Sequence, residues 1–173
     1  MTTIPPAWRN LAKNKAKEIL EEVALGSPMK APVPIHDIIE AYVGDVQVVV
    51  SMDEIFPEGV SAFATKDMNL GWVVVINGRE PLVRQRFSAA HELAHIALFV
   101  NQPKKVFCSH RSDDWFEKLC DRFAGDILMP DRLILDFYRS TPSPYLGEVA
   151  NYFKVSRQVA GIQLGRLGLP FSA

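Results

Sequence analysis

The motif that most constrains this chain is His91-Glu92-Leu93-Ala94-His95, which lies within the stretch RFSAAHELAHIALF. Residues four apart in an α-helix lie one above the other on the same face, so His91 and His95 can reach a single metal ion. Glu92 comes next along the helix after His91 and can face a water molecule held by that metal. The motif uses two of the four histidines of the chain, which argues against a chance occurrence.

The motif is expected to lie in the middle of a buried helix over about residues 81–100. Pro81 suits the first helical turn, and the helix carries a nearly continuous apolar surface made by Phe87, Ala90, Leu93, Ala94, Ala97 and Leu98. Polar groups buried there without partners would each cost roughly a few kcal/mol. A bound metal supplies such partners to the two histidines and the glutamate.

Hydrophobic periodicity divides the remaining chain into helices around one run of strands. We predict helices over residues 8–24, 35–43, 114–128 and 133–138, and two more within residues 145–167. β-Branched and aromatic residues predict three strands, namely Val46–Ser51, Val60–Thr65 and Trp72–Ile76. The predicted class is α+β, with a small, twisted, mostly antiparallel three-stranded sheet packed on helices.

Composition excludes several classes of protein. The chain has 173 residues with 48% hydrophobic content, which suits a folded domain with a real core. Its net charge of -1 disfavours sequence-independent binding to nucleic acid. Cys108 and Cys120 are too few for a disulfide scaffold. We find neither a signal-peptide pattern nor the roughly 20 apolar residues of a membrane span, and we expect a cytoplasmic protein.

Catalytic zinc usually takes three protein ligands, and the motif supplies only two. The extended HExxHxxGxxH pattern fails, because Leu98 and Asn101 stand where it has Gly and the third His. The remaining candidates are Cys108, His110, Asp113, Asp114, Glu117, Cys120 and Asp121. Glu117 is the best third ligand because Asp121 follows it one helical turn later and can accept a hydrogen bond from a zinc-bound histidine. The alternative is that both are ordinary acids on a helix surface.

Three stretches resemble the ImmA/IrrE family of zinc metallopeptidases: RFSAAHELAHIAL, EKLCDRFAGDILMP, and a PVPI helix followed by a short sheet. The resemblance covers about residues 31–136 and implies a zincin-like core that binds Zn²⁺. It also implies that Glu117 is the third zinc ligand and that Asp121 holds a ligating histidine. Cys120 stands where the family usually has Ala, and Gly125 replaces another small residue.

The resemblance implies a protein substrate, because family members typically cleave or otherwise inactivate helix-turn-helix repressors of the Xre type. We therefore predict a zinc-dependent endopeptidase in which Glu92 assists the attack of a zinc-bound water. The strand Val60–Thr65 is expected to be the sheet edge that pairs with the substrate backbone. Candidate donors to the oxyanion are His110, Arg111, Tyr138 and Tyr145.

The C-terminal segment supplies the main alternative. We predict a metallopeptidase core over residues 1–140 and a helical appendage over 141–173, in which VANYFKVSRQVAGIQLGRLGL resembles a helix-turn-helix. The alternative is a DNA-binding or repressor-sequestering regulator, similar to a toxin–antitoxin component, whose zinc site is not proteolytic. Neutral charge and the lack of a clustered basic face make DNA binding the weaker hypothesis. Cys108 and His110 could instead form a second metal site, but two ligands without others nearby argue against it.

Overall fold

A computed structural model describes residues 3–24, 28–53, 56–98, 106–109 and 115–172, with only the backbone described for 106–109. The described residues form seven helices and four strands: α1 (Pro6–Ala24), α2 (Ile35–Val43), β1 (Val46–Ser51), β2 (Val60–Asp67), β3 (Gly71–Asn77), α3 (Leu82–Leu98), β4 (Val106–Ser109), α4 (Trp115–Leu128), α5 (Asp131–Ser140), α6 (Leu146–Phe153) and α7 (Arg157–Leu167). The predicted α+β class is confirmed.

The strands form a single mixed sheet in the order β1-β3-β2-β4. β2 runs antiparallel to both β3 and β4, whereas β1 runs parallel to β3. All three predicted strands form. The fourth, β4, was not predicted, because a four-residue strand is too short to show a period of two. Since β4 covers β2 along Phe63 and Ala64, β2 is an interior strand, and the prediction that Val60–Thr65 is the sheet edge is wrong.

α3 is the central helix of the fold. Every residue from Ser88 to Ile96 is buried, because α3 packs against α4 on one side and against β2 and β3 on another. α1 lies across α4 and contributes Ala12 and Ala16, both almost inaccessible to solvent. Small side chains at such contacts let helix axes approach closely. The predicted burial of the motif helix is therefore confirmed.

A polar junction joins α7 to α4. The side chain of Gln163 is buried and donates from Nε2 to Oδ1 of Asp126 over 3.0 Å. Nη1 of Arg166 lies 3.5 Å from the same oxygen and also donates to Oε1 of Gln163. Arg86 on α3 donates from Nε to the carbonyl of Lys154 in the turn between α6 and α7. These contacts hold α6 and α7 against α3 and α4. The predicted division into a core and an appendage at residue 140 stays a prediction.

No helix within the described ranges combines the length and the apolar character that crossing a membrane requires.

Two helical glycines test the junction between α4 and α7. A Cβ on Gly165 would meet no atom within 4 Å, so Gly165→Ala should raise the free energy of unfolding by about 0.5–1 kcal/mol. A Cβ on Gly125 would lie 3.2 Å from Cδ of Gln163. Because Asp126 and Arg166 hold that amide in place, Gly125→Ala should lack this gain. Urea unfolding of both variants measures the difference, and equal stabilisation would contradict the packing described.

Candidate metal centre

His91 and His95 bring two imidazoles to one side of α3. Their ring centroids are 5.0 Å apart, as expected for residues one helical turn apart. Their side chains are only 2% and 6% exposed. A buried imidazole needs a partner for each ring nitrogen, and α4 supplies partners to both rings.

Glu117 lies in the first turn of α4 and faces both imidazoles. Its Oε2 lies 3.2 Å from Nε2 of His91, and its Oε1 lies 3.7 Å from Nε2 of His95. Two donors that share a tetrahedral zinc at about 2.0–2.1 Å lie about 3.4 Å apart, so these separations suit a common ion. Burial favours the protonated acid, but the hydrogen bond to His91 and the proximity of His95 outweigh it and hold the pKa of Glu117 below its ordinary value.

Asp121 lies one turn beyond Glu117 and holds the other nitrogen of His91. Its Oδ1 is 2.9 Å from Nδ1 of His91. When Nδ1 donates this hydrogen bond, the lone pair of Nε2 is directed toward Glu117, which is the tautomer that a metal ligand needs. Burial opposes a charged imidazole, but the hydrogen bonds to Asp121 and Glu117 outweigh it and raise the pKa of His91 to about 9.

His95 has a different neighbour at its second nitrogen. Sγ of Cys120 lies 3.8 Å from Nδ1 of His95, and Cys120 is fully buried. Burial, reinforced by the nearby His91, lowers the pKa of His95 to about 4. His95 is therefore neutral at pH 7, with Nε2 toward Glu117 and Nδ1 toward the sulfur.

Two donor sets are thus available to a metal ion. His91, His95 and Cys120 are all buried, and each offers a donor atom within 4.8 Å of the others. The alternative set replaces the sulfur by the carboxylate of Glu117. We favour Glu117 because its oxygens face Nε2 of both histidines and leave each Nδ1 to a hydrogen-bond partner. The sequence analysis named Cys120 as a candidate ligand but did not predict its contact with His95. The signal was available, because Cys120 follows Glu117 by three residues and so lies on the same face of α4.

Glu92 lies beside this cluster and is only 1% exposed. Its carboxylate contributes to the raised pKa of His91, which places its charge close to that ring. A buried carboxylate next to a metal position has the character of a general base.

The structure describes only some of the remaining candidates. His110, Arg111, Asp113 and Asp114 fall outside the described residues, as does the proposed pairing of His110 with Cys108 of β4. The hydroxyl of Tyr138 donates to the carbonyl of Pro170 over 2.9 Å. Tyr145 is the exposed N-cap residue of α6. The role of either tyrosine as a donor to the oxyanion stays a prediction.

Comparison with known proteins agrees with this geometry. The model of the family described as IrrE N-terminal-like domain, Peptidase_M78, matches residues 49–164, which contain both histidines, Glu92, Glu117 and Asp121. No curated protein matches the chain. Among solved structures, a Mycobacterium tuberculosis transcriptional regulator has the same fold, with a TM-score of 0.61 at 14% identity over 90% of this chain. The match spans only 46% of that regulator.

As a candidate metal ligand with a raised pKa, His91 predicts pH dependences of opposite sign with and without metal. The pKa of His91 rises from 6.5 to about 9 in the folded protein. Its contribution to the stability of the metal-free protein is therefore complete below pH 6.5 and is lost as the pH rises through 9. Zinc requires the neutral ring, so zinc affinity should instead increase with pH over the same interval.

Unfolding with urea in the presence of a chelator, and zinc competition titrations, measure the two trends. Asp121→Asn removes the strongest contact that raises the pKa of His91 and serves as the matched variant. Both pH dependences should flatten in that variant. An unchanged slope would show that His91 does not cause them.

Proposed function

The chain belongs to the Peptidase_M78 family of IrrE N-terminal-like domains, and from this premise we propose that it is a zinc-dependent endopeptidase. The observation that carries the proposal is the convergence of Nε2 of His91 and Nε2 of His95 on the carboxylate of Glu117. Two imidazoles and one carboxylate form a donor set found in catalytic zinc sites of peptidases. We assign Glu92 as the catalytic base and Asp121 as the residue that orients His91.

The chemistry divides between the metal and the protein. A zinc ion held by His91, His95 and Glu117 would polarise a peptide carbonyl and lower the pKa of a water molecule to about 7. Glu92 would accept a proton from the attacking water and deliver it to the amide nitrogen as the C–N bond breaks. Burial of Glu92 limits exchange of that proton with solvent. Asp121 keeps the Nδ1 proton of His91 in place, so the ring does not rotate away during turnover.

The sheet offers two edges to an extended substrate, because β1 and β4 are the outer strands among the described residues. We assign substrate pairing to β4. It lies next to β2, which packs on the motif helix α3, and its last residue, Ser109, is eight residues before Glu117. Backbone pairing along such an edge supplies affinity without demanding a particular substrate sequence.

The substrate that we propose is a helix-turn-helix repressor of the Xre type, present with the enzyme in the cytoplasm. The support is the family membership together with the resemblance in the motif helix and in α4. The solved structure with the same fold is itself a transcriptional regulator. The match covers less than half of that regulator. The repressor as the partner of this chain is therefore a proposal.

Sequestering a repressor without cutting it is the alternative activity, and direct DNA binding is the weaker one. α6 and α7 are joined by a short turn in which Lys154 adopts a left-handed conformation, with a φ of 55°. However, α7 turns Gln163 and Leu164 into the protein, and Arg166 contacts Asp126. Polar side chains used in this way are not available to read base edges.

Variants of the motif separate chemistry from metal binding. Glu92→Gln keeps the zinc ligands but removes the base, so zinc content should be unchanged and cleavage should fall by about 100- to 10,000-fold. His95→Ala should lose both zinc and cleavage. Metal analysis of the purified variants and mass spectrometry of an Xre-type repressor incubated with them measure the two quantities.

Glu22→Gln, on the exposed surface of α1, is the matched control and should behave as the unchanged protein. Full cleavage by Glu92→Gln would contradict the mechanism. Stable complex formation with an intact repressor, at full zinc content, would instead establish sequestration.

A further inference from the structure

α4 presents three residues on one face to the two imidazoles of α3. Glu117 faces both Nε2 atoms, at 3.2 Å and 3.7 Å. One turn later, Asp121 lies 2.9 Å from Nδ1 of His91 and Cys120 lies 3.8 Å from Nδ1 of His95. Positions three and four residues apart share a helix face, so one short segment reaches both nitrogens of both rings. Cys120 is thus related to His95 as Asp121 is related to His91.

The geometry points away from Cys120 as a ligand of the same ion. The two nitrogens of an imidazole point outward in different directions. The sulfur lies beside Nδ1 of His95, whereas Nε2 of that ring faces Glu117. An ion held between Nε2 and Glu117 therefore lies across the ring from the sulfur. Binding through Cys120 would require the ring to turn and to give up its place opposite Glu117.

The direction of the hydrogen bond follows from the same contact. If the thiol donated to Nδ1, the ring proton would lie on Nε2, and the lone pair facing Glu117 would be lost. If Nδ1 donates to the sulfur, which is a weak acceptor, Nε2 keeps its lone pair for the metal. Cys120 is fully buried and the His95 side chain is 6% exposed, so solvent competes little for this contact.

We propose that Cys120 is a positioning residue that holds His95 in the Nδ1-protonated tautomer and keeps Nε2 directed at the metal position. This inference rests on the proposed metal centre, and it adds a role for a position at which the resembling family usually has Ala. A methyl group offers no acceptor, so the sulfur gives this chain a contact to His95 that an Ala at that position cannot make. Neighbours that orient a ligating histidine typically change metal affinity by about 10- to 100-fold.

The test compares Cys120→Ser with Cys120→Ala, since Ser and Ala leave nearly the same space and differ in a hydroxyl that can accept a hydrogen bond. ¹⁵N spectra of the histidine rings report which nitrogen of His95 carries the proton. With zinc bound, Nδ1–H of His95 should show the ¹⁵N shift of a hydrogen-bonded group in the starting protein and in Cys120→Ser. Zinc-loaded Cys120→Ala should lack that shift and bind zinc about 10-fold more weakly, with Ser restoring most of the affinity.

Cobalt substitution tests the competing role of Cys120 as a ligand. Co²⁺ bound to the starting protein should show no thiolate-to-cobalt charge-transfer band in the near ultraviolet. Such a band, or an Nε2-protonated His95 in the zinc-loaded starting protein, would overturn the proposal, as would equal zinc affinity in all three proteins. None of these measurements depends on proteolysis. If the protein binds zinc but does not cleave a repressor, the proposed peptidase activity is refuted and the proposed role of Cys120 is unaffected. If Cys120→Ala does not fold, the ¹⁵N spectra of the histidine rings and the cobalt spectrum of the starting protein still test whether Cys120 positions His95 or binds the metal.

Discussion

The contact between α3 and α4 is the interaction on which the rest of the structure depends. α3 buries two imidazoles and a carboxylate that would be costly to desolvate alone, and α4 brings acids and a thiol to the two imidazoles. Ala94 of α3 and Ala124 of α4 are both fully buried, and small side chains let packed helices approach closely. The sheet and α1 then enclose this pair from two sides. The polar groups of the site and the apolar packing around it are therefore consequences of one helix pairing.

The two histidines of the motif have opposite electrostatics although they share a helix face. Burial opposes protonation of both rings. At His91, hydrogen bonds to Asp121 and Glu117 outweigh burial and raise its pKa to about 9. At His95, burial is reinforced by His91, and its pKa falls to about 4. The proposed metal ion would therefore displace a proton from His91 at neutral pH, whereas His95 is already neutral. The difference arises because Asp121 and Glu117 of α4 hydrogen-bond to His91, whereas His91 itself opposes protonation of the neighbouring His95.

The C-terminal helices show how local resemblance and tertiary role diverge. α6 and α7 have the lengths and the short turn of a helix-turn-helix, and the sequence of this segment indicates that motif. Gln163 is nevertheless buried, and both Gln163 and Arg166 contact Asp126 of α4. Because α7 directs these polar residues to its contact with α4, it is better suited to supporting α4 than to reading DNA.

The sequence by itself determined the HExxH pair, the order and type of most elements, and the α+β class, because each follows from periodicity over a few neighbouring residues. The family resemblance added Glu117 and Asp121 as residues of the site. Only the tertiary structure decided which candidate donors meet the imidazoles, that β4 covers β2, that β1 runs parallel to β3, and that Cys120 faces Nδ1 of His95. The physical reason is that periodicity assigns a residue to a face of its own element, whereas strand pairing and helix packing join residues far apart in the chain, and no local pattern records which faces meet.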